Sequence, residues 1–297
     1  MISLSVCGWL SPRGQDGIFM TTQTLKVLTA AQAEKFWKDG YLVLPAFLSD
    51  GDVSALRDSL AVLDDWVQAH SHPDFTHEPD SRDLERTVIR KITNIHVHGG
   101  APWRELMERS DVLDLFEDLI GPDIAFHHSK AMMKPPHEGS AKPWHQDLPE
   151  GFISPDEADR LRPLGNDLQP EHVPVVAIQY YVDDSTLENG CIQVVPGSHR
   201  RGLFEDPLDE SLIDPAEVVA AEVPAGGALL FHCLTYHYSA PNTSPNWRRG
   251  MVFEYMAPTV GVNLYASGSD TVSVLEEDES LVLLFWGGAR FPLSASS

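Results

Sequence analysis

The stretch Lys142-Pro-Trp-His145-Gln-Asp147-Leu-Pro constrains this chain more than any other. A His-x-Asp tripeptide in an extended segment turns an imidazole and a carboxylate to one face. One further ligand would complete a metal site, and the run from Phe231 to Arg249 offers it in His232 or His237, with an arginine following. Two imidazoles and one carboxylate on one face of an iron leave the opposite positions open for a chelating co-substrate and dioxygen. By itself a His-x-Asp pair says little in a chain with 13 histidines and 44 acidic residues. The surrounding sequence has to carry the argument.

Length and charge narrow the class. A chain of 297 residues suits one large domain or two small ones. An all-β barrel with helical additions is commonly a single domain of this size, so one domain over residues 20–297 is expected. Hydrophobic residues make up 42% of the chain, enough for a substantial core. No segment approaches the roughly 20 apolar residues of a membrane-spanning helix, so no membrane partner and a cytoplasmic location are expected. The net charge of -23 opposes binding to nucleic acid, whose phosphates reward clustered Lys and Arg. It also opposes polyanionic substrates unless a local basic patch exists. Cys7, Cys191 and Cys233 are odd in number and widely spaced, which fits a reducing compartment without disulfides. They lack the paired spacing of a zinc site, and Cys191 and Cys233 read as buried small hydrophobes. Residues 1–19 show neither a basic region nor a small-residue cleavage pattern. They read as a disordered extension, with Met20 as an alternative start.

Along the chain, Thr29-Ala-Ala-Gln32 has capping-box spacing and predicts a short helix that Asp39-Gly40 stops. Tyr41 to Leu44 reads as a strand closed by Pro45. After Ser49-Asp50, Val53, Leu56, Leu60, Leu63 and Val67 recur at spacings of three and four and predict a helix with one core-packing face. Residues 70–86 are polar and read as a mobile loop with solvated histidines, His72 and His77. Thr87 to Ile92 alternates like a strand, residues 102–108 and 112–119 read as short helices, and Ile124 to Lys134 as the first long barrel strand. On an extended strand His127 and His128 cannot both face inward. Residues 148–172 are proline-rich and follow the two donors directly, so they are placed to act as a lid or substrate loop. A strand over 173–182, a tight turn at Asn189-Gly190 into 191–195, and an irregular acidic edge over 204–216 come next. Pro224 to Gly227 turns into a strand from Ala228 to His232, and a strand from Gly250 to Met256 returns. Residues 281–285 are apolar and suit an edge strand or an interface.

Taken in order, His145-x-Asp147, the single run Glu188-Asn189-Gly190-Cys191-Ile-Gln-Val-Val-Pro196-Gly197-Ser198-His199, and His237-x-Ser239-x-Pro241-Asn242 followed by Arg248 resemble the phytanoyl-CoA dioxygenase family, over roughly residues 28–258. Three separate motifs in the right order are far more specific than any one of them. The resemblance implies a mainly β fold with helical additions, a double-stranded β-helix (jelly roll, cupin-like) core flanked by N-terminal helices. It implies Fe(II) as the metal, with 2-oxoglutarate and dioxygen as co-substrates. His145, Asp147 and His237 become the metal ligands, the Ser and Pro-Asn context selecting His237 over His232, which reads as a packed neighbour. Arg248 and Arg249 stand on opposite faces of the returning strand, and the family spacing selects Arg248 to hold the distal carboxylate of 2-oxoglutarate. Ser239 adds a hydroxyl donor. By position Lys91 corresponds to a lysine that helps bind the co-substrate, with an ordinary strand-edge lysine as the alternative. Gln179 occupies the place of a side chain next to the metal, against an interior polar residue satisfied by a neighbour. Tyr181, on the same face by period two, and Trp144, beside His145, are candidate substrate contacts.

The reaction that the resemblance implies is hydroxylation of an unactivated C–H bond with oxidative decarboxylation of 2-oxoglutarate to succinate and CO2. Related halogenating enzymes lack the carboxylate ligand; Asp147 is present, which favours hydroxylation, desaturation or ring closure. A small-molecule metabolite or biosynthetic intermediate is the preferred substrate. An acyl-CoA is an alternative, for which Lys130, Lys134, Arg160 and Arg162 are the nearby basic residues. A non-catalytic, metal-binding, cupin-like protein is an alternative of another class, and a carboxylate clamp at Arg248 argues against it.

Overall fold

In the computed structural model, the described residues are 24–80, 83–122, 124–147, 175–203, 209–256 and 285–286. The expectations for residues 1–19 and for a lid over 148–172 lie outside them, as does part of the acidic edge over 204–216. Helix α1 (Ala30–Asp39) opens on the capping box of Thr29 and Gln32 and ends at Gly40. Strand β1 (Tyr41–Leu44) follows, and Ser49 caps α2 (Asp50–Ala69) with Asp52 reciprocating. The stripe of α2 is buried as its spacing requires: Leu56, Leu60, Leu63 and Val67 are each at most 2% exposed.

The polar segment read as a loop contains a strand instead. β2 (Phe75–Pro79) pairs antiparallel with β3 (Thr87–Thr93), Phe75 opposite Ile92 and Pro79 opposite Thr87. β2 is the end strand of its sheet, so His77 and Glu78 can keep polar side chains partly in water while their backbone pairs. Three helices follow, α3 (Ile95–His98), α4 (Ala101–Glu108) and α5 (Ser110–Ile120).

The remaining strands are β4 (Ile124–Lys134), β5 (Lys142–His145), β6 (Val175–Tyr181), β7 (Ile192–Val194), β8 (Val219–Ala221), β9 (Ala228–His232), β10 (His237–Ser239), β11 (Arg248–Met256) and β12 (Phe285–Trp286). They form two antiparallel sheets. The larger runs β1-β9-β6-β11-β4-β3-β2, with β12 also on β4, and the smaller runs β5-β10-β7-β8. One face of the large sheet packs on the helices through Phe36, Trp103, Phe116, Phe253 and Tyr255. Its other face meets the small sheet, where Ala177, Leu229, Phe231 and Val252 join Ile192, Val194 and Ala221. Two sheets closed face to face around a shared interior are the layout of a double-stranded β-helix. Among the described residues, no helix is long and apolar enough to cross a membrane.

Candidate metal and co-substrate site

His145 ends β5 and His237 begins β10, and the two residues sit directly opposite one another in the ladder. Two steps along β10, from His237 to Ser239, match three steps along β5, from His145 to Lys142, so β5 carries one extra residue. That irregularity lets Lys142 and His145 face the interior together, which plain alternation forbids. Asp147 follows, its backbone N–H donating to the carbonyl of Cys233 at 2.9 Å. Between the two donors the amide of Gln146 turns the other way and donates to the carbonyls of Gly202 and Leu234, at 2.9 and 2.7 Å. The His-x-Asp segment is thereby tied to the loop that leads to His237.

Donor atoms of His145, Asp147 and His237 lie within 4.8 Å of one another. His145 Nε2 is 3.6 Å from one oxygen of Asp147 and His237 Nε2 is 3.8 Å from the other. These spacings exceed a hydrogen bond and leave room for an ion bound at about 2 Å from each donor. Both ring orientations are fixed from behind. His145 Nδ1 donates to the carbonyl of Pro143 at 2.8 Å, and His237 Nδ1 to that of Thr235 at 2.9 Å. With the proton held on Nδ1, each Nε2 keeps its lone pair for the shared point. Burial, then His145, pushes His237 down to about 3, so its ring is neutral at ordinary pH. Burial would raise Asp147, but Lys130 and the two imidazoles outweigh it and hold the carboxyl well below the usual range. Three donors of this type can hold a divalent metal.

Two other groups of potential ligands are built differently. His98 Nε2 donates to Asp74 at 2.7 Å, with Asn94 and His72 beside it. His72 packs there against Phe75 and His98 rather than standing in solvent. His127 Nδ1 is 2.5 Å and His128 Nδ1 3.7 Å from the same oxygen of Glu254. Both histidines thus turn to one carboxylate, against the alternation argument, because the β4–β11 register shifts between Glu254 and Tyr255 and leaves His127 without an opposite residue. In both groups the shortest contact is hydrogen-bond length, so a proton already fills the place of an ion.

Of the remaining expected residues, Arg248, Ser239, Gln179 and Tyr181 are all buried. Arg248 is 2% exposed, its guanidinium 5.5 Å from the Tyr181 ring, and its Nε has no hydrogen-bond partner. Arg249 points the other way and pairs with Asp183 at 2.7 and 2.8 Å. Ser239 faces inward with His237. Gln179 is buried, lies against Gly250 where a Cβ would come within 2.1 Å of its amide nitrogen, and that nitrogen has no partner. His232 stays apart, packed near Trp37 and His199. Trp144, expected as a substrate contact, stacks on Tyr238 at 5.5 Å and packs with Val195, Ile213 and Tyr236, on the face of β5 opposite to His145.

Lys91 sits on β3 opposite Met132, and the lysine directly opposite Arg248 is another residue. That residue is Lys134, which pairs with Arg248 across the ladder and is 5% exposed. Burial, then Arg248, lowers the Lys134 amine to about 7. Its ammonium donates to the carbonyls of Ser140 and Ala240. Lys130, one of the basic residues near enough for an acyl-CoA, instead lies 3.6 Å from Asp147. The signal that could have placed both lysines is the alternation Lys130, Met132, Lys134 on one face of a barrel strand.

The sequence profile described as Phytanoyl-CoA dioxygenase (PhyH) matches residues 36–250. An L-proline trans-4-hydroxylase of Streptomyces griseoviridis is 28% identical over 252 residues, covering 74% of this chain and 84% of that one. An ectoine dioxygenase of Sphingopyxis alaskensis is 27% identical over 252 residues, covering 77% and 76%. The crystal structure of EctD from S. alaskensis with 2-oxoglutarate and 5-hydroxyectoine superposes with a TM-score of 0.66 at 25% identity, covering 84% and 83%. The profile covers His145, Asp147, His237 and Arg248, and the chain belongs to the phytanoyl-CoA dioxygenase family, as a 2-oxoglutarate-dependent non-haem iron dioxygenase.

Proposed function

We propose that this enzyme hydroxylates an unactivated C–H bond of a small-molecule metabolite or biosynthetic intermediate, with release of succinate and CO2. His145, Asp147 and His237 would hold Fe(II), which with 2-oxoglutarate and dioxygen supplies the oxidising power for C–H cleavage. Arg248 would hold the distal carboxylate of 2-oxoglutarate through its planar fork, with the Ser239 hydroxyl and the free amide N–H of Gln179 as further donors. Tyr181 would wall the co-substrate through its ring. The observation that carries the reading is Arg248 itself. A buried guanidinium without an ion pair among the described residues is strongly disfavoured unless an anion joins it. A barrel that only bound a metal would have no use for it. Asp147 at the third ligand position favours hydroxylation over halide transfer. The relatives named for L-proline and ectoine favour a small metabolite over an acyl-CoA.

The test is an anaerobic titration of metal-free protein with Fe(II) and then 2-oxoglutarate, followed by visible charge-transfer absorption. The expected result is a band that weakens in Arg248→Ala. Fe(II) binding with no band in the wild type would remove the oxygenase reading and leave a metal-binding barrel.

A further inference from the structure

One turn holds both halves of the ligand cluster. Residues 233–236 lead from β9 into β10, and each of their peptide N–H and C=O groups is engaged. The N–H groups pin the turn from behind, to the carbonyl of Val175, the ring and carbonyl of His232, and the hydroxyl of Ser198, at 2.9 to 3.1 Å. These bonds are redundant, so no single one decides where the turn lies. Three successive carbonyls serve the ligand-bearing segments instead. Cys233 accepts from the Asp147 N–H at 2.9 Å, Leu234 from the Gln146 amide at 2.7 Å, and Thr235 from His237 Nδ1 at 2.9 Å.

Of these links, the one from Gln146 runs through a buried side chain that is itself no metal donor. The pattern His-x-Asp leaves that position open, and Gln146 fills it with two N–H donors. Both are in use, the second reaching the carbonyl of Gly202 at 2.9 Å. Gly202 closes the short segment that opens at Ser198, the residue that takes the Tyr236 N–H. One amide therefore joins three segments that meet at the cluster. Side chains alternate along an extended stretch, so the side on which Gln146 is fixed decides the side to which His145 and Asp147 turn. A buried carbonyl left without its donor is disfavoured, which keeps the amide in place. All of these partners belong to the chain, so the donors converge without waiting for a metal.

We propose that Gln146 is a positioning residue for the metal: its amide fixes the middle of the His-x-Asp segment on the turn that carries His237, and so sets the three donors to one point in advance. This inference rests on His145, Asp147 and His237 being the ligands, and adds a residue that touches neither metal nor substrate. Loss of the amide leaves every donor in the chain and changes only how the donors converge. Its effect belongs in metal affinity and in the ligand field, beyond anything that lost stability alone produces.

The experiment titrates metal-free full-length protein with Co(II), whose visible d–d absorption reports the arrangement of its donors. Gln146→Met keeps the length of the side chain and removes both N–H groups. The expected result is Co(II) bound about tenfold more weakly, as for substitutions just behind a metal ligand, with its bands displaced from those of the wild type. Val67→Ala, in the buried stripe of α2 on the far side of the large sheet, controls for instability. It should lower the urea midpoint, yet leave Co(II) affinity within about 2-fold and the bands unmoved. Should Gln146→Met not fold, Gln146→Asn, whose amide stands one methylene short of both carbonyls, decides by the same criterion. If neither folds, Gln146 serves the fold rather than the metal and the proposal fails. Wild-type affinity and bands in the Gln146 variant, or the same change in Val67→Ala, would also overturn it. Wild-type Co(II) binding by Asp147→Ala or His237→Ala would overturn the ligand assignment instead, and this inference with it.

Discussion

Arg248 and Lys134 stand opposite one another across the β4–β11 ladder, two buried cations where a protein would ordinarily place a cation and a carboxylate. Replacing Arg248 by lysine keeps the charge and loses the fork, and replacing it by alanine loses both. Expected affinities for 2-oxoglutarate, from the same absorption titration, fall about 10-fold for Arg248→Lys and about 100-fold for Arg248→Ala, one or two charge-assisted hydrogen bonds each. Equal losses in the two variants would mean that charge without the fork contributes nothing at this position. The ligands are tested separately by Fe(II) binding. Asp147→Ala and His237→Ala are expected to weaken it by more than about 100-fold, while His232→Ala, whose ring lies against Trp37, leaves it within about 2-fold. A reversed pattern at the two histidines would move the site. His237 was legible because a motif surrounds it. Lys130 and Lys134 were not, because lysine is read by default as a surface residue and nothing local says that these two are inside.

At the scale of elements, strands and helices with strong periodicity were legible: the capped stripe of α2, the long strand β4 and the returning strand β11 all stand where their patterns put them. What alternation could not supply was the position of irregularities. The extra residue in β5 sets Lys142 and His145 on one face, and the register shift opposite Glu254 turns both His127 and His128 to one carboxylate. A bulge has no strong residue signature of its own, and it appears where side-chain placement outweighs regular pairing. β2 was missed for a related reason, since an end strand with polar side chains carries little apolar pattern. The turn before β7 was legible and tightly built. Gly190 has φ +76°, and a Cβ there would lie 2.2 Å from the carbonyl of Ala240, which also accepts from Lys134. Gly190→Ala is expected to destabilise the fold by on the order of 1–3 kcal/mol, read from the urea midpoint. Because the displaced carbonyl adjoins Ser239, it should also weaken 2-oxoglutarate binding several-fold; loss of stability alone would detach the turn from the site.

For the whole molecule, composition correctly anticipated a substantial core but said little about where charge is hidden. The acidic excess lies around an interior that holds Arg248, Lys134 and several neutral histidines. Burial pushes His96, His128 and His199 down to about 4 each, against an ordinary value of 6.5. Unfolding lets these rings take protons that the folded state refuses, so between about pH 6.5 and 4 the unfolded chain binds more protons and stability falls as pH falls. His199 isolates the effect. It is fully buried, its Nε2 donates to the carbonyl of Trp37 at 3.1 Å, and it stands apart from the proposed metal ligands. A shift of this size corresponds to roughly 3 kcal/mol across that window, at about 1.4 kcal/mol per unit. In urea denaturation at pH 7, 6, 5 and 4.5, His199→Gln should be less stable than wild type at neutral pH, through lost packing, yet lose less on acidification. The two stability curves should therefore converge as the pH drops. Parallel curves would show that His199 takes up its proton without unfolding, and would shift the acid sensitivity of the barrel to His96 and His128.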